Sequence, residues 1–484
     1  MATKELKVLL QELDQANINK QHIKIIVASF LNCTLEFFDF YIVGFVLAFI
    51  VGPWKLTYGQ SSLVLWSAGL GAVFGAFSFG ALADRIGRKA TMVAAVLTFS
   101  VPTGLLYFTP EGNWIYFTAC RFTVGVGVGG LVTVLIPVLQ ECVPARYRGV
   151  ISGCVLSSAV MGTLIASISA GYLTPLIGWR GLFVIGFAAA LLTLVLQMWI
   201  PESPRWLVSK GRYSDARKSI GWILGSQAEE LSGLPEQVHA SELEPPPKVR
   251  WIEIFSYPRS LICSWFIQFG SQTVTQGFTL WATTILVLLL GISPARAAQL
   301  FIWVTLGGLA GRYFWAFMSE YIGRRKAGFL AETIGGTLLM VAAYTYRLYW
   351  HGVPVLWILM IAIYASVDGA VAIVGGYVSE VWPRHLRASG HGSTYGFASF
   401  GKILGPMVLA LFAGSGNIVT PRATLNAVSP ALLFWGGTIY VVAILFLCGY
   451  ETKGKTLEEI ERMITRKKTK SPAELLAKGT ATTE

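Results

Sequence analysis

The chain has 484 residues, of which 54% are hydrophobic and 13% charged, with a mean hydropathy of +0.59. A soluble globule carries roughly 25% charged residues, so a water-soluble protein is excluded. The net charge of +12 does not point to nucleic acid, because the basic residues crowd into alternate short loops. Those loops hold Arg85, Arg88 and Lys89; Arg146 and Arg148; Arg324, Arg325 and Lys326; and Arg384 and Arg387. The intervening loops hold single charges such as Lys55, Arg296 and Arg422. That asymmetry is the positive-inside pattern, with both termini in the cytosol.

Residues 1–23 form a polar cytosolic segment, and the apolar run after it is too long for the core of a cleavable signal. Six spans are predicted near 24–50, 61–83, 91–108, 114–139, 150–173 and 180–199, within a half covering 24–199. Each approaches or exceeds the ~20 residues a helix needs to cross a bilayer. Span one contains LEFFDFYIVGF, whose Glu36 and Asp39 are three apart and share a helix face. Each charge at mid-depth costs about 3 kcal/mol or more. In span two, Gly71, Gly75 and Gly80 fall on one stripe, where a second helix can approach closely. In span four, Arg121 in CRFTVGVGVGG reaches a depth similar to Asp39, counting about 1.5 Å per residue from the outer ends.

A polar linker occupies 200–258 and includes SELEPPPKVR. The second half, 259–450, has spans near 259–290, 297–319, 327–347, 354–379, 388–413 and 429–449. In span seven, Gln268, Gln272 and Gln276 recur every four residues as one polar stripe, which apolar packing does not explain. Arg312 of span eight reads as part of a gate or of helix packing. Asp368 of span ten and Lys402 of span eleven lie at similar depth. If they pair, that side of the pocket is neutral. If Asp368 faces elsewhere, Lys402 presents a free cation, whose unpaired cost an anionic substrate would remove. Gly405-Pro406 should bend span eleven just beyond Lys402. Phe278, Trp281, Tyr395, Phe397 and Phe400 are candidates for stacking on a ring or for packing alone. The tail, 451–484, begins with a short amphipathic helix that places Leu457, Ile460 and Ile464 on one side. The six cysteines lack metal-type spacing and read as free thiols.

The halves repeat each other. GALADRIGRK, Gly80 to Lys89, recurs as AFMSEYIGRRK, and LQECVPARYRG, Leu139 to Gly149, recurs as VSEVWPRHLRA. The fold expected is an all-α membrane protein of twelve transmembrane helices in two pseudo-symmetric six-helix halves, with a site between them near the midplane.

GALADRIGRK and its second-half echo resemble the loop signature of the major facilitator superfamily. PESPRWLVSKGR and YETKGKTLEEIE resemble the signatures of its sugar-porter-like branch, whereas LEFFDFYIVGF is more similar to the first span of metabolite:proton symporters. The resemblance implies that Asp84 meets the N-terminus of span eleven near Ser389. It also implies a cytosolic gate in which Arg85, Arg88, Glu141, Arg148, Glu202 and Arg205 work with Glu320, Arg324, Glu380 and Arg387 as an ion-pair lattice between the halves. Asp39 and Arg121 resemble a proton-coupling pair; the bland alternative is a permanent salt bridge. Apart from Arg121, a desolvated Asp39 favours its protonated form. Glu36 is open between a second titrating group, a substrate contact and a permanently protonated acid.

Span five lacks glutamine, span seven lacks an adjacent glutamine pair, and span ten reads VDGAVAIVGGY, so several hydroxyl-binding amides of a sugar porter are missing. The expectation is a monomeric secondary transporter of a bacterial inner membrane. It would import a small organic anion, a monocarboxylate with an aromatic or heterocyclic ring, with protons as coupling ion and no cofactor or metal. A sugar or polyol transporter is the alternative. No nucleophile–base pair suggests an enzyme.

Overall fold

Inside a bilayer no water satisfies the backbone, so each apolar run closes its hydrogen bonds internally as a helix. The computed structural model describes residues 12–225, 251–383, 386–453 and 457–465. The loop SELEPPPKVR, Arg384 and the tail beyond 465 lie outside the described residues. The membrane helices are α1 (Lys20–Ile50), α2 (Tyr58–Ile86), α3 (Arg88–Leu105), α4 (Trp114–Cys142), α5 (Arg148–Ile168) and α6 (Thr174–Trp199) in the first half. The second half has α7 (Pro258–Leu290), α8 (Pro294–Ile322), α9 (Arg324–Thr345), α10 (Val355–Glu380), α11 in two segments (Arg387–Ala398 and Gly401–Ala413) and α12 (Pro421–Cys448).

Local chemistry sets the boundaries. Asn19 caps α1 by accepting from the backbone of Gln21 and His22, and Thr57 caps α2 reciprocally with Gln60. Prolines open α7, α8 and α12, where a missing N–H costs nothing. From Ile151 in α5 to Met198 in α6 the chain runs 48 residues joined by a π-helical turn, Ser169–Leu173, over twice the ~20 that one crossing needs. Gly178, at φ 69° and ψ 167°, breaks that run into two crossings. The tail helix, Leu457–Thr465, buries Ile460 and Ile464 as its pattern predicts.

The break in α11 is not where Gly405-Pro406 suggested. It falls at Ser399-Phe400, before Lys402 rather than after it. A proline ring obstructs the carbonyl four residues earlier, which here is that of Lys402, so the disturbance is displaced toward the N-terminal side. Gly401 and Gly405 then press against the α7 backbone at Thr273 and Gly277. In the same way Gly71 and Gly75 of α2 abut the backbone of Phe122 and Val126 of α4, while Gly80 meets only the Thr133 side chain.

Call the side bearing the Arg85–Lys89 and Arg324–Lys326 loops the basic face. On the opposite face the halves are joined through backbone. The N–H of Tyr58 donates to Asn417 O (2.9 Å), that of Gly59 to Ser415 O (2.8 Å), and that of Val419 to Leu56 O (3.0 Å). Tyr58 also shares a hydroxyl bond with Thr424, and Gln299 of α8 donates to Gly171 O at the end of α5. On the basic face, among the described residues, none of the ion pairs connects the two halves. The molecule is closed on one side and parted on the other.

A Cβ placed on Gly59 would stand 3.3 Å from that of Ser415, against ~3.8 Å in an ordinary disulfide. Oxidation of G59C/S415C is therefore expected to cross-link the halves and stop transport in proteoliposomes until reductant is added. Free thiols after oxidation, or undiminished transport by the cross-linked protein, would contradict this closure.

Candidate functional site

Arg121 is completely buried and Asp39 is 2% exposed. They adjoin, but their closest charged atoms are 3.6 Å apart, too far for a hydrogen bond. The guanidinium instead donates to the backbone carbonyls of Asp39 (2.8 Å) and Phe40 (3.2 Å). Thr103 of α3 donates to Asp39 Oδ2 at 3.0 Å, and Oδ1 has no partner. Arg121 thus has acceptors that keep it in place whatever the charge on Asp39.

One turn away, Glu36 is also 2% exposed, with Oε2 buried and unpartnered. Across the interface, Lys402 of α11 is 8% exposed. Its Nζ donates to the Tyr395 hydroxyl (3.2 Å) and lies 5.0 Å from that ring's centre and 5.7 Å from the centre of Phe40. Among the described residues no carboxylate stands within ion-pair distance of it. Glu36 and Phe40 are four apart on α1, so this acid shares the face over which the ammonium sits. The close approach of α2, where Gly69 abuts the Lys402 Cβ, confines the lysine stem.

Asp368 does not pair with Lys402. It accepts two bonds from Arg312 of α8, Nε to Oδ2 at 2.9 Å and Nη2 to Oδ1 at 3.0 Å. Arg312 therefore belongs to the interior and not to a gate. Its planar fork matches a carboxylate bidentately, which a lysine cannot do. The pair lines a small cavity with Phe37 and Tyr41 of α1, Thr163 of α5 and Tyr364 of α10. Gln276, buried between the halves, donates to the Tyr41 hydroxyl and to the half-buried Gln272, while Gln268 keeps its Oε1 unpartnered. Trp281 is fully buried nearer the closed face, its indole donating to Pro406 O beside Tyr58. Phe397 stacks on Trp265 at 4.7 Å, within an aromatic cluster between α7 and α11.

The basic-face charges form two separate clusters in place of a lattice between halves. In the first half Arg88 pairs with Asp84 (2.7 Å) and lies 3.8 Å from Glu141. Glu202 receives the backbone N–H groups of Arg88 and Lys89, so it caps α3 where the helix dipole favours an anion. Asp14 joins Arg148 to Arg205. In the second half Arg324 holds Glu320 (3.2 Å) and Glu380 (3.1 Å), and Glu451 caps α9. Asp84 is 74% exposed and contacts Arg88 rather than α11. Arg85 is exposed, and Arg387 makes no ion pair among the described residues. Among the described residues, each ion pair on this face stays within its own half.

A family model described as "Sugar (and other) transporter" matches residues 24–464. The chain belongs to that family, within the major facilitator superfamily. It is a multi-pass membrane transporter and not an enzyme. Among its relatives, the niacin transporter NiaP of Acinetobacter baylyi is 26% identical over 93% of this chain and 99% of its own. The 4-hydroxybenzoate transporter PcaK of Pseudomonas putida is 28% identical over 84% of this chain and 89% of its own. The benzoate transport protein of A. baylyi is 23% identical over 82% and 85%. A partially occluded inward-open structure of the E. coli xylose transporter XylE matches with a TM-score of 0.68, at 20% identity, over 90% of this chain and 100% of its own. At that identity the likeness concerns the fold.

Several site residues of this transporter had left little trace in the sequence. Thr103 and Tyr41 are ordinary residues in apolar runs, visible only once α1, α3 and α7 are packed. Asp14 lies in the polar lead segment, where an acid normally reads as solvated. Arg312 was visible, but its distance from the basic loop masked its reach toward Asp368.

Replacing Asp368 by Asn leaves the Arg312 guanidinium buried without a counter-charge, at a cost of about 3–5 kcal/mol. D368N is expected to unfold at a markedly lower temperature in detergent. The double replacement R312M/D368L should recover most of that loss; a double variant as unstable as D368N would show that the pair is not the cause.

Proposed function

We propose that this transporter imports an aromatic or heterocyclic monocarboxylate together with protons across a bacterial inner membrane, with its basic face in the cytosol. One observation carries the substrate class. Lys402 is a buried cation fixed by a hydroxyl and two aromatic rings, with no carboxylate at ion-pair distance among the described residues. A bare ammonium at mid-depth is costly, and a substrate carboxylate removes that cost. The rings of Phe40 and Tyr395, which already flank the ammonium, offer a face for the substrate ring. The named substrates of the relatives, niacin, benzoate and 4-hydroxybenzoate, are aromatic or heterocyclic acids and support the same reading. The sugar alternative has less behind it, since the named substrates of those relatives are acids.

Coupling follows from the acids of α1. Asp39 accepts one hydroxyl bond and lies beside an arginine whose terminal nitrogens donate to the backbone, so it can be protonated without releasing Arg121. Glu36 stands on the face over which Lys402 sits. While ionised it competes with the substrate for the ammonium, and once protonated it gives way. Substrate and proton then bind in mutual support. In the cycle, the substrate reaches Lys402 from the outside, the halves rock about the site, and release occurs on the parted basic face.

Two outcomes test this. In proteoliposomes D39N should abolish uptake driven by a pH gradient while sparing exchange of labelled benzoate; equal loss of both would remove Asp39 from the coupling step. K402A should weaken benzoate and nicotinate binding by about 2–5 kcal/mol, read by titration calorimetry. Undiminished binding would overturn the anion assignment.

A further inference from the structure

Outside this site the second half holds one more buried acid. Glu332 of α9 is wholly inaccessible. Ser271 of α7 donates to its Oε1 at 3.0 Å, and its Oε2 is buried without a partner. Among the described residues no lysine, arginine or histidine lies within ion-pair distance of it.

Its surroundings supply no counter-charge. Arg312 of α8 is held by Asp368 of α10. Tyr364 of α10 is bonded to Thr279, and Tyr440 of α12 to Thr337. Tyr377 lies against Gly449, and Cys263 of α7 is a free thiol. The backbone closes around the acid, with Gly335 abutting Val367 and Gly336 abutting Gly436. An ionised carboxylate with a single hydroxyl partner in such a place would carry several kcal/mol of uncompensated desolvation. A neutral carboxylic acid avoids it.

We propose that Glu332 is a second proton-binding site, which carries a proton from the outside into this inward-parted state and releases it toward the basic face when further movement of α7 withdraws Ser271. The geometry of α7 connects it to transport. Ser271 adjoins Gln272, which accepts from Gln276, and Gln276 donates to Tyr41 of α1. Any rocking of the first half against the second acts on this α7 chain, and Ser271 is the hydroxyl that α7 offers to Glu332. Withdrawal of Ser271 removes the acid's one partner, and access of water in its place permits ionisation. The residue touches no substrate, and its part is to set how many protons accompany each transport step. The inference rests on the proton-coupled reading above.

The test is infrared difference spectroscopy of the full chain in liposomes on a pH step, with and without benzoate. The expected result is a carboxylic-acid C=O band that is lost in E332Q, shifted but retained in S271A, and altered by benzoate. E332Q should also show a lower proton-to-substrate ratio, measured from reversal potentials, while keeping its thermal stabilisation by benzoate. A band indifferent to both pH and benzoate, or a wild-type ratio in E332Q, would make Glu332 a structural acid and overturn the proposal. Absence of benzoate binding by the unaltered protein would refute the anion reading instead, and the pH-step band would still report on Glu332.

Discussion

A charge in the middle of a bilayer must find its partners within the protein. This constraint organises the interior of the transporter. Arg121 gives its terminal nitrogens to two carbonyls with Asp39 3.6 Å away, and Arg312 donates to both oxygens of Asp368, so each has a counter-charge beside it. Lys402 is the exception: its donors meet one hydroxyl and the faces of two rings. Cation–π contacts contribute ~0.5–2 kcal/mol, less than a buried ion pair would. The site is electrostatically incomplete where α1 and α11 meet, and that incompleteness is what an anion can use.

The two sides of the molecule are held by different chemistry. The closed face uses backbone hydrogen bonds between residues 56–59 and 415–419, together with the Tyr58–Thr424 pair. The basic face uses charge clusters that are self-contained in each half, with Glu202 and Glu451 in matching positions at the starts of α3 and α9. Because each ion pair on this face, among the described residues, lies within one half, opening this side separates none of those pairs. The exposed acids Asp84 and Glu320, each tied to an arginine one turn on, remain available for a partner when the halves approach.

Twelve apolar runs, the repeat and the intramembrane charges were legible because each is a local property of the chain. The pairing of Asp39 with Arg121 was also legible, since helical rise alone sets their depths. Rotation about each helix axis was not. Asp368 and Lys402 share a depth, yet Asp368 turns toward α8, and nothing in the run VDGAVAIVGGY declares that direction. Glu332 went unremarked for a related reason. It sits in LAETIGG near small residues, and only the packing of Gly335 and Gly336 against α10 and α12 shows how completely it is enclosed. The broken lattice at the gate reflects conformation, which one sequence encodes in two versions.

Charge movement ties these features together. For an importer with its basic face in the cytosol, bringing in an anion alone works against a negative interior by about 2.3 kcal/mol per 100 mV. One proton carried on α1 cancels that term and leaves the pH gradient to drive uptake. A further proton on Glu332 would make the step net positive, so that the membrane potential assists it. The two acids of the first helix and the lone acid of the ninth therefore bear on different driving forces. In the cycle we propose, the first would couple the substrate to the proton gradient, because Glu36 and the substrate carboxylate would compete for one ammonium. The second would add charge without touching the substrate, reached only through the α7 chain of Ser271, Gln272 and Gln276.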